Sequence, residues 1–244
     1  MRVLLLILIL FTSIKLTAVT PEEIITKAEE GIKGKTSHGV FTMKVVRPEF
    51  TRTVKMEAWN DGNENALIIV LAPKREQDNK TLKRGNEMWT YLKNTELTMK
   101  LPPSMLLQSW NGSDLTNDDM LRETNLAQDY KLRIMDDETI GGESCWQIEL
   151  KPKPGTPVAW GKIRYWVRKS DYLPAQIRFY DEKGKLHRTM EFSDYKMMGG
   201  KKTAAVWKII DNTKVNQYTE FITNSVEFDI KIPSKVFSIK ELEK

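Results

Sequence analysis

Residues 88–120, MWTYLKNTELTMKLPPSMLLQSWNGSDLTNDDM, decide the reading of this chain. They begin as two strands. Trp89 and Tyr91 share one face of the first, while Leu97, Met99 and Leu101 share one face of the second, opposite Glu96, Thr98 and Lys100. Pro102 and Pro103 then stop the sheet, because proline has no amide hydrogen to give to a ladder. A short apolar piece follows, Met105, Leu106, Leu107 and Trp110, closed by the Asn111-Gly112 turn. It is too short for an independent core helix but suited to lie across the open side of a sheet. A greasy flap over a curved sheet suggests a container rather than a catalyst.

Outward from that stretch the chain reads almost entirely as strand. Phe41, Met43 and Val45 alternate with Thr42 and Lys44; Val54, Met56 and Ala58 alternate with Lys55 and Glu57; Ala66 to Leu71 is continuously apolar, the mark of burial on both faces. The pattern resumes at Trp146, Ile148 and Leu150, at Ile163, Tyr165 and Val167, and at Ala175, Ile177 and Phe179. It ends in a long strand from Tyr218 to Phe228. One helix precedes the strands: Thr20-Pro21-Glu22-Glu23 is a capping box with proline at the first helical position, Ile24, Ile25 and Ala28 make an apolar stripe, and Gly31 and Gly34 end it. The expected fold is mainly β: an incomplete antiparallel β-barrel, a strongly curved sheet of about 11 strands. The first helix and the Pro102 to Glu123 segment form a helical lid over its apolar concave face.

The first residues read as an export signal: Arg2, the unbroken apolar run Val3 to Phe11, and a polar, small-residue stretch ending near Ala18. An uncleaved membrane anchor is the rival reading. With residues 1–18 as a signal peptide, residues 19–244 form a single domain of formal charge +3, against +5 for the whole chain. No later apolar run is long enough to span a bilayer, so stable membrane insertion of the mature chain is not expected. Lysines and arginines are interleaved with acids rather than gathered into a basic stripe, which argues against nucleic acid. Cys145, the one cysteine, reads as a small buried hydrophobe.

A search for chemistry returns little. His38 and His187 have no second ligand at metal spacing, so no metal, cofactor or catalytic residue is assigned. The acidic cluster Asp114, Asp118 and Asp119 lacks the glycine spacing and terminal glutamate of a calcium loop. It fits better as helix capping, with Thr116 as the cap and Asp119 at the third helical position. The alternating apolar faces nominate a cavity wall of Phe41, Met43, Val54, Met56, Trp89, Tyr91, Leu97 and Met99. Methionine is well suited to a wall that must accept chains of varying shape. Met105, Leu106, Leu107 and Trp110 are the lid candidates. Pro102 to Asp119 would then be a gate hinged at Thr116 and Asp119, with a permanently packed surface helix as the alternative.

Three stretches carry a family resemblance: Met88-Trp89-Thr90-Tyr91-Leu92; Leu101-Pro102; and Ser109 to Met120, with Gly112, Ser113, Asp114, Thr116 and Asp119 as its motif. With Tyr172-Leu173-Pro174 and the ending Phe237-Ser238-Ile239, they resemble the LolA-like outer-membrane lipoprotein-sorting proteins. Asn111 stands where the family often has a sulfur-containing or aromatic residue, which makes the local turn more polar. The resemblance implies a periplasmic carrier that shields acyl chains of a lipoprotein or lipid, with an inner-membrane transporter as the expected source of its cargo. It is expected to act as a monomer. A sensor or accessory module of an envelope transporter, without carrier activity, is the alternative. An envelope hydrolase using the acidic cluster is a third reading, with no nucleophile or base beside it.

Overall fold

The computed structural model describes residues 19–62, 64–121, 126–156 and 159–244. The expected signal peptide and the last two residues of the expected lid segment, 122–123, lie outside them.

Hairpins build two meanders. The first consists of β1 (Ser37–Val46), β2 (Thr51–Asn60), β3 (Asn65–Ala72), β4 (Lys80–Arg84), β5 (Glu87–Leu92) and β6 (Leu97–Lys100). The second consists of β7 (Tyr130–Ile134), β8 (Glu138–Ile140), β9 (Glu143–Pro152), β10 (Lys162–Arg168), β11 (Pro174–Tyr180), β12 (Leu186–Met198), β13 (Lys201–Asp211) and β14 (Tyr218–Phe228). β14 pairs with β1, and this contact merges the meanders into one antiparallel sheet. Among the described residues it has fourteen strands, in the order β6-β5-β4-β3-β2-β1-β14-β13-β12-β11-β10-β9-β7, with β8 beside β9. β6 and β7 stand at opposite ends of that order and do not pair, so the curved sheet stays an open barrel. The strand count exceeds the sequence-based one because the short strands β4, β7 and β8 carry too few residues to show a period.

That order fixes what the middle of the chain must do. After β6 the chain has to cross from one end of the sheet to the other before it can begin β7. It does so through 3-10 turns at Pro103–Met105 and Trp110–Gly112 and through two short helices, α2 (Asn117–Leu121) and α3 (Leu126–Asp129). The covering segment is therefore a consequence of topology.

Helix α1 (Pro21–Lys33) covers the inner face of the second meander. The Thr20 hydroxyl accepts from the Glu23 amide at 3.2 Å, and Pro21 occupies a position whose amide would have no partner. The other half of the expected capping box is not made, because the Glu23 carboxylate binds Lys27 instead. Ile24, Ile25 and Ala28 are fully buried against Tyr130, Ile148, Leu150, Tyr165 and Val167. Each isoleucine contributes roughly 1.5–3 kcal/mol by its burial. On the outer face of the first meander, a 3-10 turn (Ser234–Phe237) and α4 (Ile239–Leu242) press Phe237 and Leu242 onto Leu67, Leu82 and Tyr91. Cys145 is fully buried beside Trp166 and Ala175.

Candidate functional site

Strand register assembles an apolar inner wall. Val54 lies opposite Met43, Met43 opposite Phe221, Phe221 opposite Trp207, and Trp207 opposite Phe192, one row across five strands and both meanders. A second row joins Phe41, Met56 and Val70. Cross-strand partners share a face, so these rows form a continuous greasy surface.

The covering loop is fastened to this wall by charge. Asn111 and Gly112 both take positive φ, which lets the chain double back immediately after Trp110. Arg47, just beyond β1, donates to the Asp114 carboxylate at 3.0 Å and to the Gly112 carbonyl at 2.9 Å. Arg52 on β2 donates to the Asn111 carbonyl at 2.7 Å. Thr219 on β14 donates its hydroxyl to Asp114 at 2.6 Å. The Asp114 side chain is 1% exposed, so these partners stabilise a carboxylate that burial alone would penalise.

At the far end of the loop the capping box is complete. The Thr116 amide and hydroxyl both donate to Asp119 (2.7 and 2.8 Å), and the Asp119 amide donates to the Thr116 hydroxyl (3.1 Å). Arg188 on β12 holds the other Asp119 oxygen at 2.8 Å. Burial would raise the Asp119 carboxyl, but the Arg188 guanidinium and the Thr116 donors outweigh it and hold the group below its ordinary pKa. The loop also bonds to itself: the Met105, Leu106 and Gln108 carbonyls accept from Asn117 and Asp118. It is thus one compact unit, joined to β1, β2, β12 and β14.

Between this loop and the wall lies a cavity of about 350 Å³, with a second compartment of about 150 Å³ beside it that shares Lys33, Ser37, Phe41, Asn60, Trp207 and Thr223. The volume falls within the range of small-molecule sites, roughly 300–1,000 Å³. Trp110 lines it, 3% exposed, with its ring 6.4 Å from that of Phe221. The indole N–H of Trp110 is buried and has no hydrogen-bond partner among the described residues. Leaving such a donor unpaired costs about 1–3 kcal/mol.

Of the eight residues nominated for the wall, Phe41 and Met56 border the cavity. Met43 and Val54 share their face and are buried in the cluster on which Trp110 rests. The other four lie elsewhere. Trp89 and Tyr91 pair with Leu82 and Lys80 on the outer face, under Phe237 and Leu242. Leu97 and Met99 lie on edge strand β6, 51% and 39% exposed. The β5–β6 hairpin pairs Leu92 with Leu97 and Tyr91 with Thr98, so Tyr91 and Leu97 point to opposite faces. Of the lid candidates, Trp110 covers the cavity, Met105 and Leu106 are half-buried, and Leu107 is 81% exposed.

Missed lining residues include Ala58, Ile68, Leu115, Met120, Trp207 and Phe221. Ala58 continues the Met56 face by simple alternation and was readable. Trp207 and Phe221 were not, because β14 joins β1 from the far end of the chain. Among the described residues, no three metal-ligating side chains come together and no helix is long and apolar enough to cross a membrane.

An open antiparallel sheet with its inner face covered by one helix and one anchored loop defines a class. Solved structures of the same fold include a LolA superfamily protein from Nitrosomonas europaea, 21% identical with a TM-score of 0.73 over 91% of this chain and 98% of that one. A DUF1329 family protein from Desulfovibrio piger is 21% identical with a TM-score of 0.79 over 91% and 97%. A putative outer membrane lipoprotein-sorting protein domain from Vibrio parahaemolyticus is 20% identical with a TM-score of 0.77 over 92% and 98%. The resemblance read from the sequence therefore holds for the fold: this is a LolA-like structure. A family model described as "Uncharacterized protein" matches residues 62–244, and the chain belongs to that family. No curated protein sequence matches it significantly.

Proposed function

We propose that this protein is a periplasmic carrier that shields acyl chains of a lipid or lipoprotein on their way towards the outer membrane. The observation that carries the reading is the apolar cavity between Trp110 and the row through Phe41 and Met56. Withdrawing an acyl chain from water is worth about 0.8 kcal/mol per CH₂, so a cavity of this chemistry stabilises its cargo without any bond being made or broken. The likeness to the Nitrosomonas LolA superfamily protein and to the Vibrio lipoprotein-sorting protein domain supports the direction of the reading, as does the export signal read at Arg2 to Ala18. Receipt of cargo from an inner-membrane transporter belongs to the same proposal.

One observation favours the alternative of a sensor or accessory module. The covering loop is fixed by Arg47, Arg52 and Arg188, whereas a carrier must let its cargo in and out. Native purification from the periplasmic fraction, followed by lipid extraction and mass spectrometry, separates the two. The carrier reading expects acyl lipid at near-stoichiometric amounts. Protein that is lipid-free, and stays so after incubation with membranes, would sink the carrier and leave the accessory module.

A further inference from the structure

The outer face of the second meander carries a charge imbalance. Cross-strand pairing lines up Arg133 on β7 with Glu149 on β9, Glu149 with Arg164 on β10, and Arg164 with Arg178 on β11. One row over, Lys131 lies opposite Lys151. Lys162, two residues from Arg164 and so on the same face, lies opposite Tyr180. The patch spans four strands, about 14 Å at the usual strand spacing. It sets six cations around one carboxylate. The residues between them, such as Ile148, Leu150, Ile163 and Tyr165, turn inward to the core with α1, and none of the six cations lines the cavity.

Glu149 cannot balance this set. It is buried, with Arg133 at 3.3 Å, Lys151 at 3.7 Å and Arg164 at 4.0 Å. The Arg164 Nε has no hydrogen-bond partner among the described residues. Arg178, Lys131 and Lys162 make neither an ion pair nor a hydrogen bond there. The Arg178 guanidinium lies over Trp166, 4.8 Å from its ring centre, and the Lys162 ammonium lies 4.5 Å from that of Tyr180. Other carboxylates on this side are engaged or further off. Glu138 on β8 accepts from Trp166 and Gln147, and Glu191 sits a row away, opposite Gln176 and Lys208. Like charges set opposite one another on neighbouring strands oppose folding, which applies to Lys131 with Lys151 and to Arg164 with Arg178. An approaching carboxylate relieves both.

The chemistry of the face selects the partner. No exposed large hydrophobic side chain lies on these rows, since Ile134 of β7 is opposite Ile148 on the inner face. Docking on a lipid surface draws on apolar insertion as well as charge, and this face has nothing to insert. Guanidinium forks held on adjacent strands are matched instead to carboxylates, each of which accepts two parallel N–H bonds.

We infer that the outer face of β7, β9, β10 and β11 is a docking surface for an acidic segment of a partner protein, with its carboxylates on Arg133, Arg164 and Arg178 and with Lys131, Lys151 and Lys162 around them. Complementary charge of this kind adds rate and selectivity to an encounter. The surface leaves the cavity free, so it stands apart from the acyl-binding reading.

Fluorescence anisotropy of a dye-labelled, end-blocked hexaglutamate peptide, titrated with the purified protein at low salt, tests it. The peptide is expected to bind. Lys131→Gln combined with Arg133→Gln should weaken binding roughly ten-fold; both side chains are exposed, so the variant should fold. Arg178→Gln, from the middle of the patch, should weaken it several-fold. Lys44→Gln combined with Lys55→Gln removes the same charge from the outer face of the first meander, and should change binding by less than about two-fold because distant charges are screened. Equal weakening by the two double variants, no loss in either patch variant, or no binding of the peptide at all overturns the docking surface. Co-sedimentation with phosphatidylglycerol vesicles that depends on Lys131 and Arg133, without binding of the peptide, gives the face to a membrane and overturns the protein partner. The acyl carrier is left standing by every one of these results.

Discussion

Over the second meander, α1 lays Ile24, Ile25 and Ala28 directly onto Ile148, Leu150, Tyr165 and Val167, all fully buried. Over the first, the covering segment sets down buried Trp110, with Leu115 and Met120 near it, around a cavity. The helix gains its place by apolar contact; the loop gains its place through Arg47, Arg52, Arg188 and Thr219. Close packing and empty space compete for the same wall. Charged fastenings let a cover stand off the wall, which greasy packing alone would pull closed.

The sharpest way to break this comparison is to cut a fastening. Asp114→Ala leaves Arg47 without its buried partner and should destabilise the fold by about 3–5 kcal/mol. Urea unfolding followed by tryptophan fluorescence measures it. A loss below about 1 kcal/mol would mean that the pair behaves like a surface ion pair and that something else holds the loop.

Next comes truncation under each cover. Ile24→Ala opens a void in close-packed surroundings and should cost about 2–5 kcal/mol. Phe41→Ala enlarges a space that already exists, so only transfer of the ring is lost, below about 3 kcal/mol. The same variant should weaken binding of an acyl probe. Equal stability losses with unchanged probe binding would place Phe41 in an ordinary core.

A smaller effect lies in acid. Asp119 holds its proton less readily in the folded chain than in the unfolded one. Its contribution is therefore intact above the ordinary aspartate pKa of about 4 and disappears as the pH falls through the lower folded value. The stability difference between the native chain and Asp119→Asn should accordingly narrow from neutral pH into acid. A difference that stays constant would remove Arg188 from the list of fastenings.

The smallest effect is expected at Leu107, whose side chain is 81% exposed: Leu107→Ala should change stability by less than about 0.5 kcal/mol. Hydrogen exchange sharpens the same point. The amides of Trp110, Asn117 and Asp118 donate within the loop and should be protected even without ligand. Rapid exchange at all three in the empty protein would restore the gate expected over Pro102 to Asp119.

How much of this could be read beforehand depended on where the partner of each residue lay. Alternation placed Phe41, Met43, Val54 and Met56 on one face, because β1 and β2 are joined by a short hairpin. It failed at Trp89 and Tyr91, where apolar alternation was taken for the inner face. Their cover, Phe237 and Leu242, arrives from the other end of the chain, and alternation signals burial without saying on which side. The Thr116–Asp119 cap was legible because capping is local. The bonds from Arg47 to Asp114 and from Arg188 to Asp119 were not, because they join segments brought together only by the β1–β14 pairing.

That pairing also dictates an order of assembly. Each meander can zip from its own hairpins, but β1 and β14 come from opposite ends of the described chain. Long-range strand pairing is slow, and a strand edge that waits is open to foreign partners. For Val40, Met43 and Val45 on β1, the hazardous interval runs from their own appearance until Tyr218–Phe228 arrives. A chain delivered to its compartment from the amino-terminal end would present that edge throughout, so its yield should depend on whatever shelters β1 as much as on the stability of the finished sheet.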